Sequence, residues 1–243
     1  MKKKKNAFPK KSILLLSAAV VLLLGSTIGS TRAALTYYSE NYVVGMELSS
    51  IGVSLLENGK VVSSRNYADN GSWEGKAEGT LLKGFLKEDE KMVPGKKYEE
   101  KLSVKNSGNI DTYVRVIVTT SWLDKQGGEV PVTTLDPALI ELNYLDGWAE
   151  DKAASTPERT VLYYQGVLAP GAEASFADTL RISPEICNKV TRTVSDGGKT
   201  YTYTYEYDGY SFQVAAEVDA VQTHNAKDAV KSAWGIDGSI LGL

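Results

Sequence analysis

The chain has 243 residues, with 27 Lys+Arg, 30 Asp+Glu, one His, one Cys, seven Pro and 22 Gly. An apolar fraction of 42% with 9% aromatics is enough to close a core, in one large or two small domains. A single Cys excludes an intramolecular disulfide and cysteine-rich metal sites, and a single His excludes HExxH and multi-histidine centres.

Residues 1–33 read as a signal peptide, with a helical apolar segment. Lys2 to Lys5, Lys10 and Lys11 form a basic region ahead of the uncharged run from Ile13 to Leu24. That run of 12 residues suits a secretory signal better than a bilayer span, which needs about 20. Gly25, Ser26, Gly29 and Ser30 break the helix, and Thr31-Arg32-Ala33-Ala34 supplies small residues for cleavage after Ala33 or Ala34. An uncleaved anchor is the alternative. With no LPxTG motif either, the expectation is an exported chain without stable membrane insertion after cleavage. Loss of 1–33 removes six Lys and Arg32 but no acid, leaving 20 basic against 30 acidic residues, net −10. Such a chain repels nucleic acid and anionic lipid, and neither is expected as a partner.

The remainder alternates as strands. Val53–Leu56 and Val61–Val62 flank Asn58-Gly59, a hairpin signal. Pro94-Gly95 and Pro170-Gly171 each set a turn before a strand. Val114, Val116, Val118, Thr120 and Trp122 share one face, with Tyr113, Arg115, Thr119 and Ser121 opposite. Residues 134–158, with Pro137, Asp146-Gly147 and Pro157, read as a short helix or irregular crossover. Phe176, Leu180 and Ile182 alternate with Ser175, Thr179 and Arg181. Ser195-Asp196-Gly197-Gly198 and Asp208-Gly209 bracket Tyr201, Tyr203, Tyr205 and Tyr207, predicting a three-strand meander from about Val190 to Gln222. Its last strand carries Phe212, Val214, Ala216, Val218 and Ala220 on one face. Ala226 to Trp234 has helical spacing behind Asn225 as N-cap and ahead of Gly235 as stop, predicting a helix at the end of the sandwich. The fold class is all-β: a jelly-roll-like antiparallel β-sandwich with a short C-terminal helix.

The chemistry-bearing residues are sparse. His224 has Asp219 and Asp228 nearby in sequence, but no GxSxG or equivalent nucleophile turn accompanies it, so it reads as a loop or capping histidine. Cys187 reads as a small buried apolar residue. Glu88, Asp89 and Glu90 lack the Asp/Asn–Gly grammar of a calcium loop and read as a solvated charge run. The tyrosine ladder suits either a half-buried sheet face or sugar stacking. No catalytic residue, metal ligand or cofactor is expected.

Three segments together carry a family resemblance. The exit of the signal runs Gly29-Ser30-Thr31-Arg32-Ala33-Ala34-Leu35-Thr36-Tyr37-Tyr38-Ser39-Glu40, similar to signals handled by the SipW-type signal peptidase. Val93-Pro94-Gly95 is followed by Leu102 to Val116, including Asn106-Ser107-Gly108-Asn109 and Arg115; the third segment runs from Ala216 through Gln222 to Ala233-Trp234-Gly235. The chain resembles the TasA/camelysin family of secreted biofilm-matrix fibre proteins of Gram-positive bacteria. The resemblance implies export to the matrix or cell surface, a jelly-roll subunit at 49–243 and a donor strand at 34–48. That strand, with Leu35, Tyr37, Val43, Met46 and Leu48, would insert into the next subunit, itself or a related matrix protein. Pro94, Gly95, Asn106, Gly108, Arg115, Gln222 and Trp234 are the matching structural positions. The long Tyr-rich hairpin departs from the better-known fibre proteins and leaves main, minor and anchoring subunits open. A monomeric surface adhesin or carbohydrate-binding module is the alternative. Camelysin relatives carry a metallopeptidase label, but a site with one His would need carboxylates as its remaining zinc ligands, and an enzyme is not expected.

Overall fold

The computed structural model describes residues 50–67, 72–77, 79–86, 90–125 and 130–243, all within the compact unit Leu48–Leu243. The signal segment, its cleavage site at Ala33 and Ala34, and Leu35, Tyr37, Val43, Met46 and Leu48 lie outside the described residues.

Among the described residues twelve strands form in chain order: β1 Gly52–Glu57, β2 Lys60–Tyr67, β3 Trp73–Ala77, β4 Lys97–Asn106, β5 Thr112–Leu123, β6 Ile140–Tyr144, β7 Trp148–Glu150, β8 Arg159–Tyr164, β9 Glu173–Ile182, β10 Val190–Ser195, β11 Thr200–Tyr205 and β12 Ser211–Gln222. An α-helix, α1, spans Ala226–Trp234. A six-stranded sheet has the order β3-β2-β1-β4-β9-β6 and a four-stranded sheet the order β12-β5-β8-β7, with all pairings antiparallel. From β4 onward the main strands change sheet at every connection except the β7–β8 hairpin. This wrapping is jelly-roll-like, and the fold is the expected antiparallel β-sandwich.

The pleat explains the core. Val114, Val116, Val118 and Trp122 of β5, Phe176, Leu180 and Ile182 of β9, and Val214 and Val218 of β12 all enter one buried cluster between the sheets. Clean alternation fails in β9, where adjacent Phe176 and Ala177 are both fully buried, because bulges in its pairing with β4 add an unpaired residue. Asn58 and Gly59 take positive φ of 50° and 78°, as a two-residue hairpin turn requires, and join β1 to β2. The two Pro-Gly units are paired centrally: β4 and β9 lie side by side, and each turn closes on the other strand's end. Gly95 N–H donates to the Ile182 carbonyl (2.8 Å) and Gly171 N–H to the Asn106 carbonyl (2.9 Å).

Four sequence expectations need correction. Residues 134–158 contain two strands, β6 and β7, besides a single 3-10 turn at Pro137–Leu139. These strands are too short to show a period, so the prolines and Asp-Gly dominated the reading. The three-strand meander does not form: β10 and β11 make a separate two-stranded sheet, and β12 pairs with β5 along its whole length. The helix packs on the outer face of the four-stranded sheet rather than at the end of the sandwich. There Val230 and Trp234 join Tyr113, Ile117, Val161, Tyr163 and Val221 in a second cluster. Asn225 precedes α1 with φ 52° and no side-chain cap, while Gly235 ends it as expected.

Candidate functional site

Asn106 and Gly108, two of the positions singled out in the sequence, lie at the corner where the described residues begin. Asn106 is fully buried at the end of β4; its Nδ2 donates to the carbonyls of Ile110 (2.8 Å) and Leu168 (2.7 Å), and its Oδ1 accepts from Gly108 N–H (2.9 Å). Three satisfied bonds on one buried amide fix the crossing from β4 to β5. That turn in turn grips residues 50–52. Ser50 N–H donates to Asn109 Oδ1 (2.6 Å), Asn109 N–H to the Ser50 carbonyl (3.0 Å), and Ser107 N–H to the Gly52 carbonyl (3.0 Å). Gly108 does not take positive φ. Its constraint is approach: an added Cβ would stand 2.3 Å from the Ser50 carbonyl oxygen and 2.6 Å from Gly52 N. Asn106, Gly108 and Asn109 therefore anchor the backbone of residues 50–52.

Arg115, opposite the valine stripe, engages both an acid and a ring. Its Nη2 pairs with Asp219 Oδ2 on the adjacent β12 at 2.5 Å, and its guanidinium lies 5.3 Å from the Trp234 ring centroid. Trp234 also packs against Tyr163 in a tilted ring pair with centroids 5.5 Å apart, so these contacts hold α1 to the sheet. Gln222 closes the β12–β5 ladder opposite Thr112, and Pro94-Gly95 opens β4.

Among the described residues the four edge strands of the two sandwich sheets differ in length. β3, β6 and β7 are edges of five, five and three residues, whereas β12 is an edge of 12. Among the described residues β12 has a ladder on its β5 side alone. Side chains span its other side: Arg65 of β2 reaches Asp219 at 3.0 Å and Glu217 at 3.7 Å. A long edge with unladdered backbone groups is a template for strand addition.

Residues weighed for chemistry do not assemble. His224 is exposed, and Asp219, its neighbour in sequence, is engaged by Arg115 and Arg65. Cys187 is exposed within the 3-10 turn Pro184–Asn188 rather than buried as expected, because that turn lies outside the sandwich layers. Glu90 pairs with Lys96 at 3.6 Å, while Glu88 and Asp89 lie outside the described residues. Among the described residues no three His, Cys, Asp or Glu gather in metal-ligating range, and no helix is long and apolar enough to cross a membrane.

One perturbed group escaped the sequence reading. Glu100 is 1% exposed on β4, where a bulge sets it beside Glu57 and beneath the 79–86 loop. Its Oε2 accepts from Asn58 Nδ2 (3.3 Å), its Oε1 has no partner, and Glu57 Oε1 accepts from Leu82 N–H (2.5 Å). Burial, followed by the Glu57 charge, pushes the Glu100 carboxyl up to about 7. The alternation of Tyr98, Glu100 and Leu102 was the available signal.

The tyrosine ladder is placed in water. Tyr201, Tyr203 and Tyr205 are 53%, 56% and 51% exposed, and every residue of β10 and β11 is exposed. Tyr207 alone turns inward, 4.9 Å from Trp122 edge-on, with its hydroxyl accepting from Asp136 N–H at 3.1 Å.

Comparison of the sequence with protein-family models gives no match, and comparison with curated proteins gives none.

Proposed function

We propose that the protein is a secreted structural subunit of extracellular-matrix fibres, which polymerises when the 34–48 segment of one copy adds as a strand to the next. The observation that carries this reading is the 12-residue β12 edge, laddered on one side among the described residues, in a sandwich whose other edges are short. Strand addition there gains backbone hydrogen bonds along the edge, while alternate side chains of Leu35, Tyr37, Val43, Met46 and Leu48 supply register. The Asn106–Gly108 corner supports the geometry, since it holds the donor's root at Ser50 against its own subunit. Fifteen extended residues reach roughly 50 Å, enough to leave one subunit and run along another. A head-to-tail contact of this kind does not close, so it propagates as a fibre.

The test is negative-stain microscopy of chains beginning at Ala34 and at Ser49. Fibres from the first and folded monomers from the second are expected. Fibres from both, or monomers from both across pH and concentration, refute donor-strand assembly. The second outcome favours a monomeric adhesin.

A further inference from the structure

We infer that the β10–β11 hairpin is a binding platform for a linear neutral polysaccharide, which stacks its pyranose rings on Tyr201, Tyr203 and Tyr205. Register assigns the two faces. Val190 opposes Tyr205, Arg192 opposes Tyr203 and Val194 opposes Tyr201, so these six side chains share one face. The other face carries Thr191, Thr193, Ser195, Thr200, Thr202 and Thr204. Alternation this complete ordinarily marks a face covered by a core, yet here both faces meet solvent. Half-exposed Val190 and Val194 complete an apolar strip beside the rings.

The hairpin is anchored at its root and closed by a bonded turn at its tip. At its root Glu206 N–H donates to the Lys189 carbonyl (2.9 Å), and Tyr207 plugs into the core against Trp122. At its tip Thr200 Oγ1 donates to Asp196 Oδ2 (2.8 Å) across a turn with positive φ at Asp196, Gly197 and Gly198. The rings are thus presented on a ladder rather than a loop, and little order need be gained on binding. Neighbouring rings on one strand face recur about every 6.8 Å, giving a row of successive platforms.

Area and charge select the occupant. Three half-exposed tyrosines of about 200 Å² each, with the two valines, present roughly 400 Å². A stable protein–protein interface covers about 800 Å² on each partner, so the face is too small for a second copy to hold by itself. Single-stranded nucleic acid also stacks on aromatic rows but needs a basic groove. The face has one cation, Arg192, and it lies over the Tyr201 ring at 5.1 Å. A neutral sugar chain fits both limits. Its axial C–H groups meet the electron-rich ring faces, and its hydroxyls meet the Tyr hydroxyls and Arg192.

The experiment is affinity electrophoresis of the full chain in gels containing β-glucan, galactomannan or dextran, with tyrosine fluorescence titration as the second readout. Variants are the triple change Tyr201→Ala, Tyr203→Ala, Tyr205→Ala, and the control Thr202→Ala, Thr204→Ala on the opposite face, each checked for folding by the emission of buried Trp122. Retardation by at least one polysaccharide is expected. Each lost ring should weaken it roughly two- to tenfold and the threonine control should leave it unchanged. No retardation by any of the three, or equal retardation of the triple variant, overturns the proposal. So does self-association that vanishes in the triple variant without any polysaccharide binding. Fibre formation is scored separately on the same samples, so failure of either reading leaves the other standing.

Discussion

Replacing Glu100 by Gln should stabilise the protein at neutral and alkaline pH and leave it nearly unchanged at pH 5. The folded carboxyl sits at about 7 against an ordinary 4.5, so between those values the folded state binds more protons than the unfolded state. Stability from this group is fully present below about 4.5 and is lost as pH rises through about 7, the reverse of a salt-bridged carboxylate. At about 1.4 kcal/mol per pH unit, a shift of this size corresponds to at most about 3 kcal/mol between pH 5 and pH 8. Gln keeps the shape, cannot ionise, and offers an amide N–H to Glu57 across the gap where Oε1 now has no partner. The assay is urea unfolding followed by tryptophan emission at half-unit steps from pH 5 to 8. The quantity read is the variant-minus-parent difference, which cancels other titrating groups. A gain of roughly 2–3 kcal/mol at pH 8 that shrinks to near zero at pH 5 is expected. A difference that stays flat across this range would refute the assignment of a buried, charge-crowded carboxyl.

Two further substitutions probe the corner and the outer face. Gly108→Ala drives a methyl group into the Ser50 carbonyl, and the backbone must move; a loss of roughly 1–3 kcal/mol in urea unfolding is expected, along with shorter or fewer fibres from the chain beginning at Ala34. Unaltered stability would mean that the close approach has no energetic weight. Arg115→Ala leaves Asp219 with Arg65 alone and uncovers Trp234, so a loss of roughly 1–2 kcal/mol and faster amide exchange across α1 are expected. Unchanged exchange in α1 would show that Val230 and the Tyr163 contact hold the helix without it.

Much of the architecture is local information. β5 and β12 were readable because period-two alternation of Val, Ala and Trp against polar residues reports a pleat with one apolar side. The Asn58-Gly59 hairpin and the Gly235 stop were readable because few residues tolerate positive φ. Arg115 was legible as a residue opposite the valine stripe.

What escaped depends on partners distant in the chain. β6 and β7 exist because β9 and β8 offer edges to them, which no five-residue window contains. The bulges that bury Phe176 and Ala177 together, and Glu100 beside Glu57, belong to the register of β4 against β9. The tyrosine strand is the sharpest case. Its alternation is as regular as that of β5, yet periodicity states only that two faces differ, and the tertiary arrangement decides whether anything covers them. By itself the sequence determined an all-β sandwich, its principal strands, its hairpin turns and its closing helix, since those follow from side-chain period and backbone dihedral preference. Only the tertiary structure decided which edge strand is long, which tyrosines face water and what grips the chain at Ser50. Those are questions of which surfaces meet, and contacts between residues far apart in the chain settle them.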